Sequence, residues 1–163
     1  MDGTDGPILI AFDGSDAAQQ AVRDAARLVG ARKALVVTVW ESGLAYAMAD
    51  VRPDGMIATP ALEPAVAMSV DRELRSHATR VAGEGAELAR SLGLDAEPLA
   101  VPDERHVPET ILNLAREHHA AAIVVGSRGL SGLRARLEGS TTKSLLKHAN
   151  CPVIVVHEPR EDH

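Results

Sequence analysis

Ile123-Val124-Val125-Gly126-Ser127-Arg128-Gly129 is the stretch that organises this chain, with nine residues separating Gly129 from Gly139-Ser140. Residues 120–125 form an apolar run that stops at Gly126, and a helical pattern occupies residues 141–148. A strand that feeds a glycine-punctuated loop, which then opens a helix, brings backbone close to a bound group. Glycine tolerates positive φ and carries no Cβ, and a helix start presents N–H groups and a positive dipole end. The pattern predicts a phosphate-binding turn. Glycines at 126, 129, 132 and 139 exceed the need of one surface turn. Arg128, Arg134, Arg136, Lys143 and Lys147 outnumber Glu138 here, although the whole chain has a formal net charge of −6. Arg128, inside the glycine pair, is spaced to reach a phosphate directly.

Gly139-Ser140-Thr141-Thr142-Lys143-Ser144 departs from a Walker A loop, which requires glycine immediately before the lysine, where Thr142 stands. Ser140 and Thr141 read either as plain N-caps or as hydroxyls that serve a phosphate beside the helix N–H groups, and Lys143 reads as solvated.

Working outward, strand and helix patterns alternate. Residues 7–12 are a short apolar run ending at Asp13-Gly14-Ser15-Asp16. Ala18, Ala21, Val22, Ala25 and Leu28 then recur at helical spacing until Gly30, with Ser15 or Asp16 as N-cap. Residues 35–40 read as a valine-rich strand buried on both faces. Residues 44–66 contain Pro53, Gly55, Pro60 and Pro64, lack a period and read as a long loop. The next helix covers residues 67–92, with Leu74, Ala78, Val81, Ala82, Leu88 and Leu92 at its apolar positions; Gly83 and Gly85 weaken its middle by about 1 kcal/mol each. Residues 96–101 form a third strand, which Pro98 assigns to a sheet edge. A helix over 109–118 turns Ile111, Leu112 and Ala115 inward, and strands follow at 123–125 and Val153–Val156. The alternation predicts an α/β fold, a doubly wound five-stranded parallel sheet with helices on both faces. It is read as a single domain over residues 1–163, with tails at 1–6 and 158–163.

In such sheets ligands bind beyond the carboxyl ends of the strands, where the strand order reverses. Asp13-Gly14-Ser15 ends the first strand and Gly126 ends the fourth, so the two features share one crevice if those strands are neighbours. Asp13 has two readings. It is a turn aspartate capping the next helix, or an acceptor for a ribose hydroxyl or an adenine amino group. The second puts a nucleoside at strand one and phosphates at strand four, with Ala11, Val39 and Val125 as an aliphatic slot for the base.

Composition narrows the alternatives. An apolar fraction of 45% and a charged fraction of 25% are those of an ordinary globular domain. Aromatic residues make up only 2% of the chain, namely Phe12, Trp40 and Tyr46. Few stacking platforms and an acidic balance exclude a nucleic-acid partner. No apolar run approaches the roughly 18 residues of a membrane span, and the acidic, glycine-rich N-terminus lacks the basic and apolar parts of a secretory signal. A cytoplasmic location is expected. The single Cys151 offers neither a disulfide nor a cysteine metal site and reads as a buried, inert thiol. The seven histidines show no ligand spacing, so no protein metal site is expected, and no catalytic constellation stands out.

With these residues in view, the chain resembles the universal stress protein family in its ATP-binding branch. That branch carries G-x2-G-x9-G-[S/T], which Gly126, Gly129, Gly139 and Ser140 match position for position. The similarity begins at Ile8-Leu9-Ile10-Ala11-Phe12-Asp13-Gly14-Ser15, continues through the Ile123 to Gly129 stretch, and closes at Cys151-Pro152-Val153-Ile154-Val155-Val156. The resemblance implies a sheet of order 3-2-1-4-5, ATP as ligand with Mg²⁺ or Mn²⁺ on its phosphates, and a homodimer formed through the last strand, Val153–Val156. It also implies that Asp13 contacts the ribose, that Ala11, Val39 and Val125 surround the adenine, and that Gly126, Arg128, Gly129, Gly139, Ser140 and Thr141 line the phosphates and ribose. The chain departs from the family at Arg105-His106-Val107-Pro108, where relatives often have glycine. The expected function is nucleotide-dependent regulation of a stress response, with at most slow ATP hydrolysis. A nucleotide-independent dimeric interaction module is the other reading of the same fold. An adenylating enzyme is disfavoured because the S-G-G-x-D-S loop such folds use is absent after strand one.

Overall fold

The computed structural model describes residues 5–43, 64–103, 105–127 and 138–157. Their elements alternate: β1 (Ile8–Ala11), α1 (Asp16–Val29), β2 (Lys33–Glu41), α2 (Pro64–Ser91), β3 (Asp95–Asp103), α3 (Val107–Glu117), β4 (Ala122–Gly126), α4 (Glu138–His148) and β5 (Val153–Val156). All pairings are parallel, in the order β3-β2-β1-β4-β5. The expected doubly wound α/β sheet is present. Pro98 lies in β3, an edge strand, where a missing N–H is tolerated.

Strand periodicity divides the core in two. Ile8, Ile10, Phe12, Ala34, Val36 and Val124 face α1 and α2, which contribute Ala18, Ala21, Val22, Ala25, Val81, Ala86 and Ala89. Leu9, Ala11, Val37, Ile123 and Val125 face Ile111, Leu112, Leu114 and Ala115 of α3 and Leu145 of α4. Alanine dominates the first interface, so those two helices lie close to the sheet. β2 is covered unevenly: Val36, Val37 and Thr38 are buried, whereas Leu35 and Val39 are only half-buried.

Local chemistry accounts for the helix ends. Ser15 caps α1, its Oγ accepting from the Ala18 N–H at 3.1 Å. Gly30 closes α1 with φ 66°, a value a side chain rarely adopts. Pro108 stands in the first turn of α3, where no N–H is required, so that helix starts earlier than the expected residue 109.

Several expectations are corrected. Pro64, Ala65 and Val66 are helical rather than loop, because proline is tolerated in a first turn; the rest of the expected 44–66 loop and both expected tails from 1–4 and 158–163 lie outside the described residues. Leu28 continues the helical spacing of α1 yet is 68% exposed, and Leu92 lies beyond α2 and is also exposed. The largest correction concerns α2. A Cβ on Gly85 would stand 2.7 Å from the Phe12 ring and 2.8 Å from Val36 Cγ1, whereas one on Gly83 would meet nothing. Gly85 is therefore the seat of Phe12 rather than a weakness.

The two glycines should separate in urea unfolding. Gly83→Ala is expected to stabilise the protein by up to about 1 kcal/mol through helix propensity. Gly85→Ala is expected to destabilise it by about 1–3 kcal/mol through overpacking.

Candidate functional site

β1 pairs with β2 on one side and β4 on the other. From β1 the chain winds outward to β2, and from β4 it winds the opposite way to β5. The strand order reverses between β1 and β4, so the turn after β1 and Gly126 at the end of β4 share one crevice.

Asp13, Gly14 and Ser15 form its first wall. Asp13 Oδ1 accepts the Ser15 N–H at 2.9 Å, and Gly14 adopts φ 82°. This aspartate turn feeds directly into the cap of α1. One carboxylate oxygen is used in it; Oδ2 has no hydrogen-bond partner among the described residues. The turn reading and the acceptor reading of Asp13 are thus compatible, since a single carboxylate supplies both oxygens.

Behind the turn, Ala11, Val125 and Val39 lie on the same sheet face, with Ala11 and Val125 buried and Val39 packed against them half-buried. The three aliphatic candidates are brought together. Trp40, next to Val39 in sequence, is on the other face. It lines an open groove of about 580 Å³ with Met68, Asp71, Arg72, Arg75, Ala100 and Pro102.

Gly126 has a structural reason that the glycine spacing conceals. A Cβ there would stand 2.9 Å from the Ala17 carbonyl oxygen and 3.0 Å from its carbon. The bare strand end lets the first turn of α1 lie against β4. Ser127 follows and donates its N–H to the Val156 carbonyl at 2.8 Å.

Arg128 and Gly129 lie outside the described residues. Gly139, Ser140 and Thr141 all fall within α4. The helix thus includes positions expected to precede it, and Ser140 and Thr141 are helical rather than capping. Parallel topology turns the N-terminal end of α4 toward the carboxyl edge of the sheet, the side of Asp13 and Gly126. Lys143 is exposed, as expected for a solvated side chain.

One polar residue escaped the sequence reading. Thr38 is the single buried polar side chain among the described residues, and its Oγ1 donates to the Phe12 carbonyl at 2.8 Å. A lone hydroxyl within the valine-rich β2 was the available signal.

The geometry defines a class: a doubly wound parallel α/β domain whose strand order reverses between β1 and β4. The profile of the Universal stress protein family matches residues 6–157, and the chain belongs to that family. Universal stress protein YxiE of Bacillus subtilis is 29% identical over 161 residues, spanning 91% of this chain and 97% of the relative. A universal stress protein of Thermus aquaticus is 31% identical, spanning 91% of this chain and 96% of its own length. Universal stress protein Rv2623 of Mycobacterium tuberculosis is 32% identical over 93% of this chain, which corresponds to only 47% of that protein.

Among solved structures, the universal stress protein of Archaeoglobus fulgidus superimposes with a TM-score of 0.63 at 25% identity, covering 92% of this chain and 97% of that one. Three further structures share the fold and contain adenine nucleotides. They are a universal stress protein with cAMP (TM-score 0.61, 22% identity, 94% and 98% covered), the Archaeoglobus fulgidus protein with dAMP (0.58, 23%, 92% and 96%) and an Arabidopsis thaliana family protein with AMP (0.61, 17%, 96% and 94%).

Two measurements check this description. Gly126→Ala should force the start of α1 away from β4 and cost about 1–3 kcal/mol in urea unfolding. Cys151 is half-buried rather than fully buried, and burial pushes its thiol pKa up from the ordinary cysteine value. Its alkylation by iodoacetamide at pH 7 should therefore be slower than that of free cysteine, because less of it is thiolate.

Proposed function

We propose that the protein binds an adenine nucleotide, with ATP as its ligand, and acts as a nucleotide-dependent regulator rather than an enzyme. The observation that carries this reading is the adjacency of β1 and β4, which opens Asp13 and Gly126 into one crevice. The second Asp13 oxygen is an acceptor suited to a ribose hydroxyl. The aliphatic patch of Ala11, Val39 and Val125 is suited to a purine face, given how few aromatic side chains the protein has. The N-terminal end of α4 offers a positive dipole end to phosphates. Arg128 and Gly129 enter this reading from the sequence pattern alone.

The cAMP, dAMP and AMP bound by relatives of the same fold support the adenine moiety. The triphosphate rests on the spacing of Gly126, Gly129, Gly139 and Ser140. Mg²⁺ or Mn²⁺ would be carried by the phosphates. No group of three His, Cys, Asp or Glu side chains suited to a metal ion occurs among the described residues. None of their helices is long and apolar enough to cross a membrane.

The proposal includes a homodimer through β5. Val153, Ile154 and Val155 form an edge strand that remains half-exposed in the single chain. An apolar edge of this kind is relieved by pairing.

Calorimetric titration of nucleotide-stripped protein tests the ligand. ATP should bind, with Asp13→Ala weakening it roughly tenfold or more through loss of a charged acceptor. Absence of binding of ATP, AMP and cAMP at millimolar concentration would overturn the reading and favour a nucleotide-independent interaction module. For assembly, Val155→Asp should shift the mass measured by light scattering from dimer to monomer; a wild-type monomer would sink that part.

A further inference from the structure

We propose that Thr38 is a positioning residue for the nucleotide site: its buried hydroxyl holds the Phe12 carbonyl and thereby aims the Asp13 carboxylate. The inference rests on the reading of Asp13 as a ligand contact, although its central claim concerns the turn itself.

The argument starts where β1 ends. The last residue of β1 in register with β2 is Ala11, opposite Val37. One residue later Phe12 donates its N–H to the Val37 carbonyl at 2.8 Å, and its carbonyl receives the Thr38 hydroxyl at 2.8 Å. Phe12 is 3% exposed and Thr38 is 7% exposed, so water is a poor substitute partner for either group. The carbonyl of Phe12 belongs to the peptide plane that also contains the Asp13 nitrogen. Fixing that oxygen therefore fixes the direction in which Asp13 leaves the sheet. The Phe12 ring is held independently, seated against Gly85 of α2.

Thr38 itself does not face the crevice. Its even-numbered position puts it on the α1 and α2 side of the sheet, while Val39 packs with the aliphatic patch on the other side. It acts across the sheet, through the backbone of Phe12. Asp13 Oδ1 is already committed to the Ser15 N–H at 2.9 Å, so a rotation of the Asp13 backbone would disturb that bond as well as the free oxygen. Ser15 N–H is consequently a reporter of the turn that requires no ligand.

The test compares Thr38→Val, which keeps the shape and removes the donor, with Thr38→Ser, which keeps the donor. In amide exchange followed by NMR, Thr38→Val should accelerate exchange at Ser15 by about tenfold relative to the Ile123 amide, and Thr38→Ser should leave that ratio near wild type. In AMP titrations, Thr38→Val should weaken binding about fivefold and have no further effect in an Asp13→Ala background, the signature of two residues acting as one unit. Uniform acceleration of both amides would reduce Thr38 to a general core residue and overturn the proposal. So would an equal loss of affinity in the presence and absence of the Asp13 carboxylate. If wild-type protein bound no nucleotide, the functional reading would fall, while the Ser15 exchange ratio would still decide whether Thr38 sets the turn.

Discussion

Parallel pairing of β1 on both its sides is the constraint from which the rest of this structure follows. All four residues, Ile8 to Ala11, pair with β2 along one edge, Ile8 to Ile10 pair with β4 along the other, and all four are buried. A strand in that position has no solvent-facing side chain and no free ladder edge. The chain can leave it only at the carboxyl end, over the crevice. Because β1 separates the two winding directions, that exit is also where helices cannot cover the sheet. The packing problem and the proposed ligand opening therefore have one origin.

Around this strand the crevice combines fixed and variable parts. The turn after β1 is held by Thr38 from within the sheet, by the Gly85 seat beneath Phe12, and by its own Asp13 to Ser15 bond. The floor at Gly126 is set by contact with the backbone of Ala17. Each hold uses backbone, buried groups or the first Asp13 oxygen, so the proposed ligand contacts, the second Asp13 oxygen and the helix end of α4, are not consumed by them.

The legible and illegible parts of the sequence divide along the range of the forces involved. Ser15 as a cap, Gly30 as a stop and the runs of β1, β4 and β5 are local signals and survive in the structure. Pro98 marks an edge correctly because the missing donor is a property of one residue. Leu28 misleads because helical spacing identifies a face while only the neighbouring elements determine where its cover ends. Gly85 and Gly126 look alike in sequence to any flexible glycine; their meaning lies in Phe12 and Ala17, which are distant along the chain. The aliphatic trio of Ala11, Val39 and Val125 was suggested by the scarcity of aromatic side chains and the switch-point rule, and the three do share one sheet face. The hydroxyl of Thr38 was not, because nothing in its neighbours shows that a carbonyl 26 residues away requires a donor.

The alanine-lined interface between the sheet and helices α1 and α2 has an evolutionary side. Ala18, Ala21, Ala25, Ala82, Ala86 and Ala89 are all buried, and none has a larger side chain to give up. Drift toward smaller residues is nearly exhausted there, while drift toward larger ones must lift a whole helix from the sheet. Sequence change in this protein is therefore channelled to the opposite layer, where Leu9, Val37, Ile111, Ile123 and Leu145 can exchange volume among themselves. That is the layer adjoining the proposed base slot, so the face freest to vary is also the one on which a preference for ligand would, in that reading, be rewritten.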